Sequence, residues 1–382
     1  MMQSGRARVR RREKPASAAS PGARTGRTPL LVAEHNLRVT LEAIRRAGPL
    51  TRPELARRSG LSAPGLTNIL RRLSENGLVT ASRRRGEGSG QPSVEFAINP
   101  NGAFAVGIRL AGAASEAVLI DLGGQVRDRI IFDPGTDLAA AIGEVLARLR
   151  SGPAQPQNIV GIGIGASTPG ALDPGTLSAG LSPLRVMVER DCVVGALAER
   201  MFGAGAVDGG LVLIVIDAAV RAGLLLQGVP FGGVHGRAGD IGAMRTGPDQ
   251  VPLDSVVGLG ALHARLTPAE RKMLQDGEDL PMTPAVRAWI ETAAGHLLDA
   301  IIAMAGFVAP GAILIGGDLP RNAIDALIER MVMERADSSI RPVSTPWISP
   351  IRPATFAGGG IAIGAALLPL FDQLLPSPMV AV

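Results

Sequence analysis

The chain has 382 residues, 46% of them apolar and 19% charged, with one cysteine, no tyrosine and a formal net charge of +5. That length holds more than one domain with ample core, and a single cysteine excludes a disulfide framework and a cysteine zinc site and fits a reducing cytoplasm. Aromatic residues are only 3% of the chain, which argues against stacking platforms for single-stranded nucleic acid, and the longest apolar stretch, Ala300 to Ile315, holds Pro310 and Gly311 and is too short for a membrane span.

The charge is uneven. Residues 1–92 carry 19 Lys and Arg against 6 Glu and no Asp, a net +13, so the rest of the chain carries about −8. Such asymmetry points to a nucleic-acid module joined to something else. Residues 1–28 are rich in Arg, Ser, Ala, Pro and Gly and lack the apolar run of a secretory signal. They are expected to form a disordered basic arm that adds nonspecific affinity for DNA. The alternative is a start codon assigned too far upstream.

A helix-turn-helix follows. A helix from about Leu31 to Ala47 offers Leu37, Leu41 and Ile44 for packing. Thr51 and Glu54 have the spacing of a capping box, with Pro53 in the first turn, where its missing N–H costs little. This short helix turns Leu55 and Ala56 inward and Arg57 and Arg58 outward, and Gly60 ends it. Leu61 is expected to plug the angle between helices and Ser62 to cap the next one.

The second helix, Ala63 to Asn76, places Leu66, Ile69, Leu70 and Leu73 on one stripe. Its other face shows Thr67, Asn68, Arg71 and Arg72. Asn pairs with adenine through two hydrogen bonds, and Arg pairs with guanine or phosphate. Ala63, Thr67 and Asn68 are therefore expected near base edges, with Arg71 and Arg72 nearer the backbone. Arg52 and Ser62, at the two helix starts, complete the DNA-facing set there. A strand from Val79, a basic Gly-rich tip carrying Arg83, Arg84, Arg85 and Gln91, and a return strand Val94–Ile98 make a wing that reaches phosphates or a minor groove. Any three-helix domain shows such stripes, and basic faces are often only solvated. Here cap, turn, stripe and wing agree in order and spacing, which favours double-stranded DNA as the partner.

Beyond residue 100 strands recur at Ala105–Leu110, Ala117–Asp121, Ile159–Ala166, Leu211–Ile216, Gly223–Gln227 and Ala312–Ile315. Helices are expected at Leu138–Arg150, Val193–Met201, Pro284–Ala305 and Arg321–Arg335, giving an α/β layered fold. Two hairpin-like openings, Val106–Asp121 and Leu211–Gln227, stand about 105 residues apart. They suggest a duplication with a cleft between halves, although the repeat is weak by sequence alone.

Several segments stand in a specific order. They are Ser89-Gly90-Gln91-Pro92-Ser93 before Asn99-Pro100, Gly161 through Asp173, Glu189-Arg190-Asp191 ahead of Ala196-Leu197-Ala198-Glu199, His235 through Gly242, Ala309 through Gly317, and Gly364-Ala365-Ala366. On these the chain, over about Asn36 to Leu370, resembles the ROK family of repressors, open reading frames and sugar kinases. The resemblance implies an N-terminal winged helix-turn-helix and a two-lobed actin-like, ribonuclease H-like sugar-kinase fold. The division expected is an arm over 1–28, a DNA-binding domain over 29–100 and a kinase-like effector and oligomerisation domain over 101–382.

The departures from the family pattern matter most. Its kinases open this region with an Asp and a Gly-Gly-Thr turn, where this chain has Arg109-Leu110-Ala111-Gly112-Ala113. The second phosphate turn reads Asp217-Ala218-Ala219-Val220-Arg221-Ala222-Gly223. Phosphate cradles need closely approaching backbone N–H groups, so ATP binding is expected to be lost. Arg109 and Arg221 either attract an anion or are paired or solvated, the second being favoured. Of the sugar site, the family's general base falls on Asp191, its preceding Asn is Arg190, its Glu is Asp240 and its zinc-contacting His is Ala243. Thr168, Pro169, Gly170, Arg190, Asp191, His235 and Asp240 are the ligand-contacting residues the resemblance implies, with no metal and no cofactor. The plainer readings stay open: Asp191 paired with Arg190 at a helix start, His235 and Asp240 serving a turn, and Cys192 as a buried apolar filler.

The leading expectation is a transcriptional regulator, a repressor, with a sugar or sugar-derivative effector that shifts paired winged helices on a pseudo-palindromic operator. Arg190 would favour an acidic or phosphorylated sugar. A homodimer and a homotetramer are equally compatible. The alternatives are a ligand-independent DNA-binding protein whose large region only oligomerises and, less favoured, a sugar kinase.

Overall fold

The first unit begins with α1 (Pro29–Ala47), followed by β1 (Leu50–Thr51), α2 (Arg52–Ser59), α3 (Ala63–Glu75), β2 (Val79–Arg84) and β3 (Ser93–Ile98). The computed structural model describes residues 29–84, 93–111, 114–205, 207–336, 348–356, 358 and 360–378. The expected arm over 1–28, the wing residues Arg85 and Gln91, and the side chain of Arg84 lie outside these residues.

At the start of α2 the Glu54 carboxylate accepts from both the backbone N–H and the hydroxyl of Thr51, at 2.7 Å each. This closes the first turn. Gly60 ends α2 in the left-handed region at φ 67°. Ser62 is extended, but its side chain makes no cap hydrogen bond, which corrects the expected capping role; only its carbonyl takes the Leu66 N–H, at 2.9 Å. Leu66, Ile69, Leu70 and Leu73 of α3 are all buried, each worth about 1.5–3 kcal/mol of apolar transfer. The three strands pair antiparallel in the order β1-β3-β2.

Two lobes follow. The first holds β4 (Phe104–Arg109), β5 (Ser115–Asp121), β6 (Val126–Phe132), α4 (Leu138–Ser151), β7 (Ile159–Ala166), α5 (Pro174–Gly180), β8 (Val186–Arg190) and α6 (Asp191–Phe202). The second runs through β9 (Leu211–Ile216), β10 (Val220–Leu226), β11 (Val229–Pro230), β12 (Arg245–Thr246), β13 (Val251–Pro252), α7 (Asp254–Val257), α8 (Leu259–His263), α9 (Pro268–Gln275) and α10 (Pro284–Val308). It closes with β14 (Ala312–Gly317), α11 (Arg321–Ala336), β15 (Ile351–Pro353) and α12 (Gly360–Gln373).

The sheets have orders β6-β5-β4-β7-β8 and β11-β10-β9-β14-β15. In each, an antiparallel meander of three strands is followed by two strands parallel to its first. The weak repeat in the sequence is thus a duplication of topology. Helices α6 and α12 close the two halves and pack together between the sheets. A Cβ on Gly107 or Gly163 would collide with the carbonyls of Ala362 or Ala365, so glycine lets α12 lie directly on β4 and β7.

Of the described helices, α10 is long and apolar enough to cross a bilayer by length and composition, and its Trp289, Leu297, Leu298 and Ile301 are buried in the core of the second lobe. The winged helix and the lobes share one core, in which Leu41 and Ile44 belong with Leu370 and Phe371. Arg38 of α1 donates to the carbonyls of Phe371 at 3.0 Å and Asp372 at 2.8 Å. A guanidinium there satisfies helix-end carbonyls that no later turn can reach.

Candidate functional site

On α3 the side chains of Ala63, Thr67, Asn68, Arg71 and Arg72 are all exposed, opposite the buried stripe. Arg71 donates to the Asn68 side-chain oxygen at 2.8 Å and to both Glu75 oxygens at 2.7 and 2.9 Å. This aims Asn68: one lone pair of its oxygen is taken, and a second lone pair and the amide hydrogens remain for a base edge. The Thr67 hydroxyl donates to the Ala63 carbonyl at 3.0 Å, leaving its methyl and its acceptor positions at the surface. Arg52 lies 5.7 Å over the Phe96 ring, a cation–π contact that holds it at the root of the wing. Arg83 and Ser62 are exposed.

The second candidate lies where the lobes meet. Asp191 opens α6, and its carboxylate takes the Arg221 Nε–H at 3.2 Å and Nη2–H at 2.7 Å, and the Cys192 N–H at 2.7 Å. Arg221 also stands 3.4 Å from Asp217. Arg109, at the end of β4, is ion-paired with Asp318 and lies 3.7 Å from Asp217. The Asp318 N–H donates to Asp217 at 3.1 Å. Three carboxylates and two guanidiniums thus form one chain, Asp191–Arg221–Asp217–Arg109–Asp318, running from the first lobe to the second.

The electrostatics follow from this count. Burial alone would lower both guanidiniums, but the carboxylates beside them hold Arg109 and Arg221 above the ordinary range. Asp217 is the acid in excess. Burial first, then the neighbouring Asp318, pushes its carboxyl up to about 7. Cys192 is fully buried, and burial together with Asp191 pushes its thiol to about 12, so it is an inert filler and no nucleophile.

The implied sugar residues gather at one edge but turn their charges on one another. Arg190 donates to the carbonyls of Gly236 at 2.6 Å and Ala238 at 2.9 Å and is ion-paired with Asp240. The Asp191–Arg190 pair that the sequence left open does not form; neighbouring residues at a strand-to-helix junction point apart, and each finds a partner across the cleft, Arg221 for Asp191 and Asp240 for Arg190. The expected preference for an acidic ligand needs a free Arg190, whereas this guanidinium already holds three acceptors. His235 sits in the same loop, exposed, at φ 56°. Thr168 and Gly170 are exposed and Pro169 half-buried, in the turn after β7, whose Ala166 pairs in register with Arg190.

Sequence reasoning missed Asp318 and what lies beside it. A cavity of about 730 Å³ opens between the lobes, lined by Arg109, Ala111 and Ala114 on one side and by Ala218, Leu259 and Asp318 on the other. None of the seven implied ligand residues lines it. The only signal was Gly316-Gly317-Asp318 closing a strand, which marks a site only when Arg109 is known to meet it.

Residues 39–88 match the model of the MarR family. Across 369 residues the chain is 27% identical to the protein y4fQ of Sinorhizobium fredii, covering 88% of this chain and 91% of that one. It is 24% identical over 241 residues to the DNA-binding transcriptional dual regulator NagC of Escherichia coli, covering 57% of this chain and 59% of that one. A solved ROK family transcriptional regulator, a homolog of the E. coli MLC protein, superposes with a TM-score of 0.68 at 22% identity, over 91% of this chain and 99% of the other. The chain has the fold of that regulator. The MarR match falls on the helix-turn-helix, from within α1 past β2, and the duplicated lobes with α6 and α12 between them make up the rest of the shared fold.

Proposed function

We propose that the protein is a transcriptional repressor that binds a pseudo-palindromic operator as a homodimer or homotetramer. Its α3 face, with Thr67, Asn68, Arg71 and Arg72, reads DNA, and the wing through Arg83, Arg84 and Arg85 holds phosphates. Residues 29–100 form this DNA-binding domain. Residues 101–382 form an effector and oligomerisation domain for a sugar or sugar derivative. The observation that carries this reading is the exposed polar face of α3, opposite its buried stripe, on a helix-turn-helix whose α1 is fastened by Arg38 to the end of α12. Lobe closure that shifts α12 would move α1 with it, and so change the spacing of paired recognition helices.

The domain does no phosphoryl transfer in this reading. The carboxylate at the family's base position, Asp191, is in a bidentate pair with Arg221, and the turns at Arg109 and Asp217 present charges of mixed sign where a phosphate donor needs backbone N–H groups. The internal pairing also favours a second reading, a regulator that answers to no ligand. Capture of sheared DNA from the source organism by the full chain, followed by sequencing, tests the first claim. Enrichment of one inverted repeat is expected, and uniform, salt-sensitive retention overturns site-specific reading. ATP turnover above background with any sugar overturns the non-catalytic claim, and melting temperatures unmoved by every candidate effector favour the second reading.

A further inference from the structure

A second cavity, of about 280 Å³, opens away from the cleft, where the DNA-binding unit meets the lobes. Glu42 and Arg46 of α1, Arg200 of α6 and Gln227 of the turn after β10 line it. Three guanidiniums gather here around one carboxylate. Glu42 takes Arg45 through both oxygens, at 2.7 and 3.0 Å, and the Nε–H of Arg46 at 2.5 Å. Arg45 also lies 5.7 Å over the Phe202 ring at the end of α6, so it is fully engaged. Arg46 is 53% exposed in its side chain, and both its Nη groups have no partner among the described residues.

Arg200 is the cation left over. It is half-buried and donates from Nη1 to the Gly228 carbonyl. Among the described residues it pairs with no carboxylate, including Asp208, which lines a small cavity beside it. Burial and then the Arg46 charge push Arg200 below the ordinary guanidinium range, and Glu42 offsets only part of this. Arg109 and Arg221 behave in the opposite way, because carboxylates hold them up. An arginine in a last helical turn ordinarily serves its own helix end. Arg200 instead reaches across 28 positions to the β10–β11 turn, and Arg46 turns back to Glu42. Arg45, Arg46 and Arg200 against Glu42 leave two positive charges at this junction.

We propose that this junction binds a small phosphate monoester, with its phosphate between Arg46 and Arg200 and its carbon chain against the half-buried Met201 and Val229. Such a group carries about −1.5 to −2 charge at pH 7, which matches the excess, and guanidinium forks suit phosphate oxygens. The cavity lies just under the roughly 300–1,000 Å³ of sites for larger ligands, so it suits a phosphate on a short chain. An occupant held by Arg46 of α1 and Arg200 of α6 would tie the winged helix to the first lobe. That consequence for DNA rests on the regulator reading, whereas binding at the junction does not.

The test is calorimetric titration of the full chain with glycerol 3-phosphate and with glycerol, in a phosphate-free buffer held at constant ionic strength with chloride. Glycerol 3-phosphate is expected to bind saturably and glycerol not at all. Arg200→Met and Arg46→Gln should each weaken binding by about tenfold or more at an unchanged melting temperature. Should the Met variant fail to fold, the exposed Arg46 keeps the test. The proposal is overturned if glycerol 3-phosphate does not bind at millimolar concentration, if glycerol binds equally well, or if both variants bind as the parent does. The same phosphate chemistry could come from a DNA backbone, so retention of random DNA without the probe is measured as well. Retention equal to the parent's is expected of both variants, and a loss in both would assign these arginines to DNA and overturn the free-ligand site. Operator capture by the parent without any probe reports separately on the regulator reading.

Discussion

The α3 face and the cleft both carry arginines, and they use them in opposite ways. On α3, Arg71 is 61% and Glu75 56% exposed in the side chain, and they pair one turn apart. Such surface pairs contribute about 0–1 kcal/mol, so an incoming phosphate or base displaces them at little cost. In the cleft, Arg221 is 11% and Asp191 7% exposed. There each charge has left water, and its partner is what keeps it tolerable. Residue type says little about availability; desolvation decides it. An exposed arginine is an offer to a partner, and a buried, paired one is part of the fold.

The sharpest way to break this contrast is to remove one buried charge. Arg221→Met leaves Asp191 and Asp217 without their shared guanidinium. Stability is expected to fall by about 3–5 kcal/mol, read as a shift in the urea midpoint. Adding Asp191→Asn should restore most of it, because the double variant removes the orphaned charge as well. A single variant as stable as the parent would show that the cleft is wetter than its geometry implies.

A second effect on stability comes from the odd acid. With Asp217 protonated, the chain holds two carboxylates against two guanidiniums. Burial and Asp318 raise this carboxyl from its ordinary 3.8 to about 7, so between those values the fold holds a proton that the unfolded chain has released. The stability from this group is full below about pH 4 and is lost as pH rises through about 7. Asp217→Asn mimics the protonated form at every pH. Its stability relative to the parent should therefore rise from pH 5 to pH 8 in paired urea titrations, and a constant difference would show that Asp217 does not titrate there.

How much of this was legible in the sequence divides along the same line. The winged helix was readable because its signals are local: Thr51 with Glu54, Gly60 at φ 67°, and four apolar residues on one turn-spaced stripe. Helix α12 was not read, since Gly360 to Phe371 are buried on every side and leave no amphipathic period. Edge strand β6 was missed as well; only Ile130 of its seven residues is buried. In the cleft the residues could be named but not their partners. Arg109 meets Asp318 across 209 positions and Arg221 meets Asp191 across 30, whereas reading along the chain suggested the neighbour Arg190 for Asp191. Pairing across a cleft is a property of topology, and no local pattern carries it.

On the α3 side the contrast predicts the reverse behaviour, binding lost with stability kept. Asn68→Ala should weaken operator binding by about 1–3 kcal/mol, or roughly 5- to 150-fold, and relax selectivity at one base position. Its melting temperature should hardly move, since exposed substitutions stay within about 0.5 kcal/mol. Equal loss on operator and random DNA would mean that Asn68 touches only the backbone.

The smallest effect expected is at Arg72, which is exposed and lies toward the C-terminal end of α3. A phosphate contact there releases about one counterion, so Arg72→Ala should flatten the plot of log affinity against log salt by about 1 and weaken specific and nonspecific binding alike. A base contact would act differently, leaving the slope nearly unchanged while eroding the preference for one sequence. Measuring the slope on the operator and on random DNA separates the two, and it asks of an exposed arginine what the urea titration asks of a buried one: which partner its charge was serving.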